Sequence, residues 1–278
     1  MKPDNPMQKR YIEFDGLRGW LALWVMVAHM FCWCGGSAIY AACEKVIAKA
    51  RTIAAHQMEV AEEDLEFVAG EFRVRGTPSS AMPIQAIAFG AFTAHNLPEG
   101  TEPNLTAEAS YDPSNFTFPF GVHIAVVDVD EETGDVHLVR YVAVDDCGNQ
   151  INPLIVEGQV HGGIVQGAAQ ALWEEAVYDD AGQLRTASLV DYLVPSAAEV
   201  PNLELAHTVT PSPSNAMGVK GVGEAGTIAA APAVMNAVID ALGPLGVTGM
   251  EMPASPERVW QTIRTARAET KSEIGGAR

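Results

Sequence analysis

Glu224 is the first side chain whose type and surroundings could do chemistry. It lies in the stretch GVKGVGEAGTIAAAP, residues 218–232, where four glycines surround a single carboxylate. Glycine allows close backbone approach to a ligand and positive φ angles, and a carboxylate held beside a ligand is a candidate general base. The alanine-rich run that follows also predicts that Glu224 begins a helix, where the helix dipole stabilises its anion. Both interpretations remain open from the spacing.

A second glycine-rich stretch, GQVHGGIVQG at residues 158–167, carries the amides of Gln159 and Gln166. Each glycine inside a helix costs about 1 kcal/mol relative to alanine, so glycines in a buried helix indicate that something packs very close to its backbone. That neighbour is either a bulky ligand or another helix. Neither stretch has the spacing of a dinucleotide-binding or Walker phosphate motif.

The elements that must position these residues follow from hydrophobic periodicity. Helical spacing predicts helices over 35–58, over 81–95, from Asn152-Pro153 onward, over about 227–242, and in a short C-terminal segment capped by Ser255. Alternation predicts a hairpin centred on Ala69-Gly70 and strands over 122–129, 136–144 and about 203–211, with a loop over 96–120. The predicted fold class is α+β, with mixed sheet layers and packed helices.

Composition restricts the function further. The chain has 278 residues, 48% of them hydrophobic, and a formal net charge of −18. This charge argues against nucleic acid and against an anionic membrane surface as partners of the main body, and we expect a cytoplasmic protein. The cysteines form no C-x-x-C pair, so we expect neither an iron–sulfur cluster nor a structural zinc on this chain; they are Cys32, Cys34, Cys43 and Cys147.

The N-terminal residues 1–34 differ from the rest and form a predicted apolar leader. Residues 20–33 are apolar except for His29, and an apolar helix is predicted there. The run is short of the roughly 20 residues that span a bilayer, and no small-residue cleavage site follows it. A buried helix and a membrane contact through residues 20–33 are both open interpretations.

Part of this leader resembles the first helix of the membrane acyltransferases that O-acylate cell-surface glycans. The resemblance covers about residues 10–31, in the stretch FDGLRGWLALWVMVAHM, and it maps their arginine and histidine onto Arg18 and His29. It implies one alternative function, a truncated or fused acyltransferase fragment. A membrane-attached remnant without catalysis is a further alternative for the whole chain.

The remainder resembles the C-terminal half of the large subunit of molybdenum hydroxylases, the family of xanthine dehydrogenase, aldehyde oxidoreductase and aerobic carbon monoxide dehydrogenase. The resemblance runs from about residue 35 to 266 through VAVDDCGNQINPLIVEGQVHGGIVQGAAQALWEE, LVDYLVP, TPSPSNAMGVKGVGEAGTIAAAPAVMNAVIDAL and MPASPERVW. It implies that residues 35–278 are the C-terminal fragment of a molybdopterin-binding domain.

This resemblance implies a complete set of roles. Glu224 would lie next to molybdenum as the catalytic base, and Gln166 would contact molybdopterin, in its cytosine dinucleotide form. The other expected cofactor contacts are Gly162, Gly163, Gly167, Lys220, Gly221 and Gly223. The metal would be held by the pterin, with no direct protein ligand. The implied reaction is oxidative hydroxylation of an aldehyde, an N-heterocycle or carbon monoxide. Iron–sulfur and FAD centres would lie on other domains or partner subunits, so the chain is expected to be inactive alone.

Overall fold

The structure, a computed structural model, describes residues 35–276. This part divides into two compact units, residues 35–114 and 115–276. Helices and mixed sheets are both present, so the α+β fold class is confirmed. The predicted leader helix at 20–33, with Arg18 and His29, lies outside the described residues.

The first unit is a three-stranded sheet with two helices. Helix α1 covers residues 35–58, and a 3₁₀ turn at Glu62–Asp64 leads into strands β1 (Leu65–Val68), β2 (Glu71–Val74) and β3 (Thr77–Pro83), followed by α2 (Ile84–Phe92). The strands pair in the order β1-β2-β3, all antiparallel. The core of this unit contains the buried side chains of Ile53, Leu65, Phe72 and Ile87.

The predicted hairpin of this unit is confirmed, because Ala69 and Gly70 connect β1 to β2 with φ angles of 51° and 83°. Two positive φ angles match the right-handed twist of the flanking strands. Strand β3 was not predicted, since its sequence TPSSAMP has prolines and few residues that favour strands. It forms as an edge strand against β2, the position where proline is tolerated.

The second unit contains a mixed sheet and three long helices. Its elements are β4 (Phe120–Val129), β5 (Val136–Asp146), α3 (Pro153–Leu172), β6 (Leu203–Thr208), α4 (Ala225–Leu242), a 3₁₀ turn at Gly243–Leu245, and α5 (Pro256–Gly276). The sheet order is β4-β5-β6, with β4 antiparallel and β6 parallel to β5. The strands predicted in this region are confirmed, as is the turn at Gly134, whose φ is 79°.

Helix α3 begins as predicted at Asn152-Pro153. The Asn152 side chain accepts a hydrogen bond from the N–H of Ile155 at 3.3 Å, and proline at the first helical position leaves no N–H without a partner. Helix α5 has 21 residues and is longer than the short helix that was predicted. The apolar periodicity ends near Ile263, but the charged residues beyond it are good helix formers and continue the helix.

Helix α4 packs against α3 and β4, and its buried residues Val234, Val238 and Leu242 belong to the main core of this unit. Among the described helices, one stretch, Ala225–Leu245, is long and apolar enough to cross a membrane by length and composition. A core helix of a soluble protein meets the same criteria.

Candidate functional site

The two glycine-rich stretches meet in the second unit. Gln159 and Gln166 lie exposed on α3, and Glu224 lies exposed at the residue that precedes α4. Gln159 Nε2 donates to the carbonyl of Gly223 at 3.5 Å. Thr227, in the first turn of α4, donates from Oγ1 to the carbonyl of Gly163 at 3.0 Å and lies 3.5 Å from Gln166 Oε1. The structure therefore brings Gln159 to the Glu224 loop and Gln166 to the first turn of α4, which follows that loop.

Glu224 occupies the N-cap position of α4, which confirms the predicted helix start. Its backbone carbonyl accepts from the N–H groups of Thr227 and Ile228, each at 3.1 Å, but its side chain makes no capping hydrogen bond. The Glu224 carboxylate therefore does not stabilise α4 through a capping hydrogen bond.

The glycines of α3 separate into two groups. A Cβ on Gly163 would meet the backbone of α4 at 2.8 Å from Thr227 N, and a Cβ on Gly167 would meet Ala230 Cβ at 2.6 Å. Helix packing therefore accounts for these two glycines. A Cβ on Gly162, or on Gly221 of the loop, would meet nothing within 4 Å. The open surface beside the glutamines thus contains Gly162 and Gly221, and cofactor contacts at all four glycines stay a prediction.

The loop before Glu224 is fixed by a crossing of two chain segments. Gly148, with a φ of 68°, lies so close to Gly218 that a Cβ there would be 2.2 Å from the Gly218 carbonyl oxygen. That carbonyl accepts from Asn149 N at 3.0 Å, and Lys220 N donates to the Cys147 carbonyl at 2.8 Å. The loop is thereby held at the end of β5.

Lys220 forms a buried ion pair, which the sequence did not predict. Its Nζ donates to Asp146 Oδ1 at 2.9 Å, and the two side chains are 9% and 0% exposed. The same ammonium lies 4.5 Å from the centroid of the Phe120 ring. Burial by itself would raise the pKa of Asp146, but the bonds from Lys220, from the Gly148 N–H and from threonine hydroxyls including Thr208 hold that pKa well below its usual range. A cofactor contact at Lys220 stays a prediction, and the geometry shows that its ammonium is bound to Asp146.

A buried hydrogen-bonded chain of Tyr141, His123 and Asp145 was also missed. His123 Nδ1 lies 2.8 Å from Tyr141 Oη, and its Nε2 lies 3.3 Å from both carboxylate oxygens of Asp145. Because a carboxylate only accepts, Nε2 carries the proton of the bond to Asp145. Burial, followed by the charge of Asp145, raises the pKa of Tyr141. The available signal was one histidine among the inward-facing apolar residues of β4.

Asp145, the last member of this hydrogen-bonded series, also lines a cavity of about 190 Å³ beside the start of α3. The other polar side chains that line the cavity are Cys147, Gln150, Glu157 and His207. Burial raises the pKa of the Cys147 thiol, so it is a weak nucleophile. Within residues 35–276, no three His, Cys, Asp or Glu side chains are grouped as ligands for a metal ion.

The family described as the molybdopterin cofactor-binding domain matches residues 24–201. The chain belongs to this family. The match begins inside the leader that was predicted to end at residue 34, and the expected molybdopterin-binding family is confirmed.

Curated relatives of this molybdopterin-binding chain include large chains of several enzymes. The carbon monoxide dehydrogenase large chain of Hydrogenophaga pseudoflava is 44% identical over 229 residues, which cover 82% of this chain and 28% of the relative. The nicotine 6-hydroxylase large subunit of Paenarthrobacter nicotinovorans is 41% identical over 227 residues, covering 81% of this chain and 27% of the relative.

Solved structures give the same family likeness. The reconstituted CO dehydrogenase from Oligotropha carboxidovorans matches with a TM-score of 0.78 and 40% identity, covering 84% of this chain and 29% of that chain. Quinoline 2-oxidoreductase from Pseudomonas putida 86 matches with a TM-score of 0.74 and 41% identity, covering 79% and 28%. The molybdopterin-binding chain therefore spans less than a third of the length of these relatives.

Proposed function

We propose that this chain forms one wall of the molybdenum cofactor site of a molybdenum hydroxylase large chain, with Glu224 as its catalytic base. The observation that carries the proposal is the meeting of Gln159, Gln166 and the Glu224 loop at the start of α4. The family of the chain supports a molybdopterin ligand, and a helix N-terminus favours the phosphate that such a ligand carries.

The residues present fit one side of this cofactor. Gly162 and Gly221 leave open space where a Cβ would otherwise project, so a flat ring system can approach the backbone there. The exposed amides of Gln159 and Gln166 can each donate and accept hydrogen bonds. We assign the cofactor contact to Gln166, as the sequence predicted, and add Gln159, because its amide already reaches the loop that carries Glu224.

The chain's own part in the reaction is to bind, orient and move a proton. When bound, the cofactor supplies the two-electron acceptor that oxidative hydroxylation needs. An oxygen of the Glu224 carboxylate accepts the proton of the water that is added to the substrate, since that side chain is exposed and makes no capping bond. Thr227 holds the first turn of α4 on α3 and so fixes the position of the base.

The substrate is proposed by class. Relatives carry the names carbon monoxide dehydrogenase, nicotine 6-hydroxylase and quinoline 2-oxidoreductase, so carbon monoxide and N-heterocycles join aldehydes as candidate substrates. We propose the cytosine dinucleotide form of the cofactor, iron–sulfur and flavin centres on partner subunits, and a cytoplasmic location. The chain alone is expected to be inactive, because most of a large cofactor must be buried for tight binding.

The test is Glu224→Gln in an enzyme completed with the missing part of a large chain. Glutamine keeps the size and hydrogen bonding of glutamate but cannot accept the proton. The variant should therefore lose about 10²–10⁴-fold or more in kcat, while its molybdenum content stays unchanged. Glu132→Gln is the matched control, since Glu132 is exposed in the turn between β4 and β5, at the opposite end of these strands. A Glu224→Gln rate within about threefold of the parent, below ~1 kcal/mol, would refute the base assignment.

A further inference from the structure

The loop that carries Glu224 is bonded to the end of β5 through Lys220 in two ways. The backbone N–H of Lys220 donates to the Cys147 carbonyl at 2.8 Å, and its Nζ donates to Asp146 Oδ1 at 2.9 Å. Two of the residues between Lys220 and the proposed base are glycines. Within residues 35–276, Lys220 is the last residue before Glu224 that is hydrogen-bonded to β5 or to the residue after it. It therefore sets where the segment leaves the sheet.

The segment between Lys220 and Glu224 has weaker contacts of its own. The Gly223 carbonyl accepts from Gln159 Nε2 at 3.5 Å, which is long for a hydrogen bond, and Val222 is partly buried against the main core. After the base, α4 is held by its packing on α3. The position of Glu224 therefore depends on α4 at one end and on the Lys220 bonds at the other.

Asp146 is a fixed anchor for the Lys220 ammonium. Its carboxylate is fully buried, and it also accepts from the Gly148 N–H at 3.0 Å and from Thr208 Oγ1 at 2.9 Å. These bonds attach the carboxylate to the ends of both β5 and β6. The ammonium is thus held by a group that cannot turn away to solvent.

The ion pair gives the loop a defined position more than it gives the fold stability. Taking two charges out of water is costly, and replacing a buried ion pair by apolar residues of similar volume often leaves stability unchanged or raises it. A charge-assisted hydrogen bond, however, has a fixed length and direction, which packed apolar side chains do not impose. The ring of Phe120, with its centroid 4.5 Å from the ammonium, confines Lys220 from a further side.

We propose that Lys220 is a positioning residue for Glu224, and that its bond to Asp146 holds the loop where the carboxylate can act as the base. The inference rests on the proposed function, which takes Glu224 as that base. Lys220 acts through the backbone of the loop, so its ammonium touches neither substrate nor cofactor.

The test uses the double variant Lys220→Met/Asp146→Asn, because Lys220→Met alone leaves a buried carboxylate without its counter-ion. Methionine keeps the length of lysine, and asparagine can still form a hydrogen bond with the Thr208 hydroxyl. The variant therefore removes the tie without leaving a buried charge. The matched control is Arg140→Met/Glu204→Gln, which removes the exposed ion pair between β5 and β6.

Amide hydrogen exchange of the full chain alone gives a readout that needs no cofactor. In Lys220→Met/Asp146→Asn, residues 220–224 should exchange at least about tenfold faster than in the parent, because the loop opens locally once its tie is lost. Helix α3 should keep its parental exchange, and the control variant should change neither segment. Unchanged exchange in residues 220–224, or faster exchange throughout the second unit, would overturn the positioning role.

Kinetics of the enzyme completed with the missing part of a large chain give the second readout. The double variant should lose about 10- to 100-fold in kcat, because a displaced base meets its proton poorly, while KM and molybdenum content stay close to those of the parent. The control variant should keep the parental kcat. Molybdenum lost in proportion to rate would make Lys220 a cofactor contact instead, and a kcat within about threefold of the parent would refute the positioning role.

The Glu224→Gln variant separates the two proposals. If it abolishes turnover while Lys220→Met/Asp146→Asn does not, the base assignment stands and the positioning role of Lys220 is wrong. If Glu224→Gln keeps the parental rate, the proposed function is wrong, and the positioning role that depends on it falls with it.

Discussion

At the scale of single residues, the ion pair of Lys220 and Asp146 connects the fold to the candidate site. Asp146 is at the end of β5, is fully buried, and also accepts from the Gly148 N–H at 3.0 Å. Lys220 is four residues before Glu224 in the same loop. The pair therefore helps to hold the segment that carries the proposed base at the end of β5.

We predict that Asp146→Asn lowers the free energy of unfolding by about 3–5 kcal/mol, because it leaves a buried ammonium without its counter-ion. Chemical denaturation of the full chain measures this change. Glu204→Gln is the control, since it breaks the exposed pair with Arg140 and should leave the free energy of unfolding nearly unchanged, because solvent screens an exposed pair. Equal losses for the two variants would show that burial of the Lys220 pair adds nothing.

Acid should remove the stabilisation that the ion pair of Lys220 and Asp146 provides. The pKa of Asp146 is lowered in the folded state, so the pair contributes fully above the unfolded value of about 3.9 and is lost as pH falls through the folded pKa. The stability difference between the parent and Asp146→Asn should therefore begin to shrink as pH falls below about 4 and should go on shrinking toward the lowered folded pKa. Urea denaturation along a pH series tests this, and a difference that stays constant or grows in acid would contradict it.

At the scale of elements, the contact between α3 and α4 positions the candidate site. Gly163 and Gly167 of α3 face Gly226 and Ala230 of α4, and a Cβ on Gly226 would lie 2.4 Å from the Val160 carbonyl oxygen. Small residues on both helices allow their backbones to approach. The close approach brings Thr227 to α3, and with it Glu224 to the two glutamines.

We predict opposite effects for two alanine substitutions on α3. Gly167→Ala should destabilise the chain, since overpacking costs about 1–3 kcal/mol and exceeds the gain of about 1 kcal/mol in helix propensity. Gly162→Ala meets open space and should stabilise the chain by about 0.5–1 kcal/mol. Thermal and urea denaturation compare them. If both variants were more stable than the parent, α4 would have moved to accommodate the added methyl group at little cost, and the prediction would be wrong.

The proposed cofactor role of Gly162 has its own test. In the completed enzyme Gly162→Ala should retain less molybdenum than the parent, although it is the more stable protein, because its methyl group projects into the space proposed for the cofactor. Elemental analysis after gel filtration measures retention. Full molybdenum content in this variant would remove Gly162 from the proposed site.

At the scale of the whole molecule, the chain spans less than a third of the length of its relatives. A single wall buries too little of a large cofactor for tight binding. We therefore predict that the full chain purified alone holds well below one molybdenum per chain, and that co-expression with the missing part raises this content. One molybdenum per isolated chain, measured by elemental analysis, would contradict the prediction.

The sequence alone determined much of this protein. Hairpin turns, strand alternation, the cap at Asn152-Pro153 and the start of α4 at Glu224 are local features, set by residues within a few positions of one another, and the structure confirms them. Family membership was also evident from the ordered motifs between residues 35 and 266. The edge strand β3 was missed because only its pairing with β2, not its composition, makes it a strand.

Only the tertiary structure decided which distant residues meet. Lys220 and Asp146 are 74 positions apart, and their pairing depends on the crossing of two loops that no local pattern encodes. In sequence, a glycine that makes room for a ligand cannot be told from one that makes room for a helix. In the structure, α4 covers Gly163 and Gly167 and leaves Gly162 open. The chain of Tyr141, His123 and Asp145 likewise arises from the register of β4 on β5, because register is set by packing between strands and not within either one.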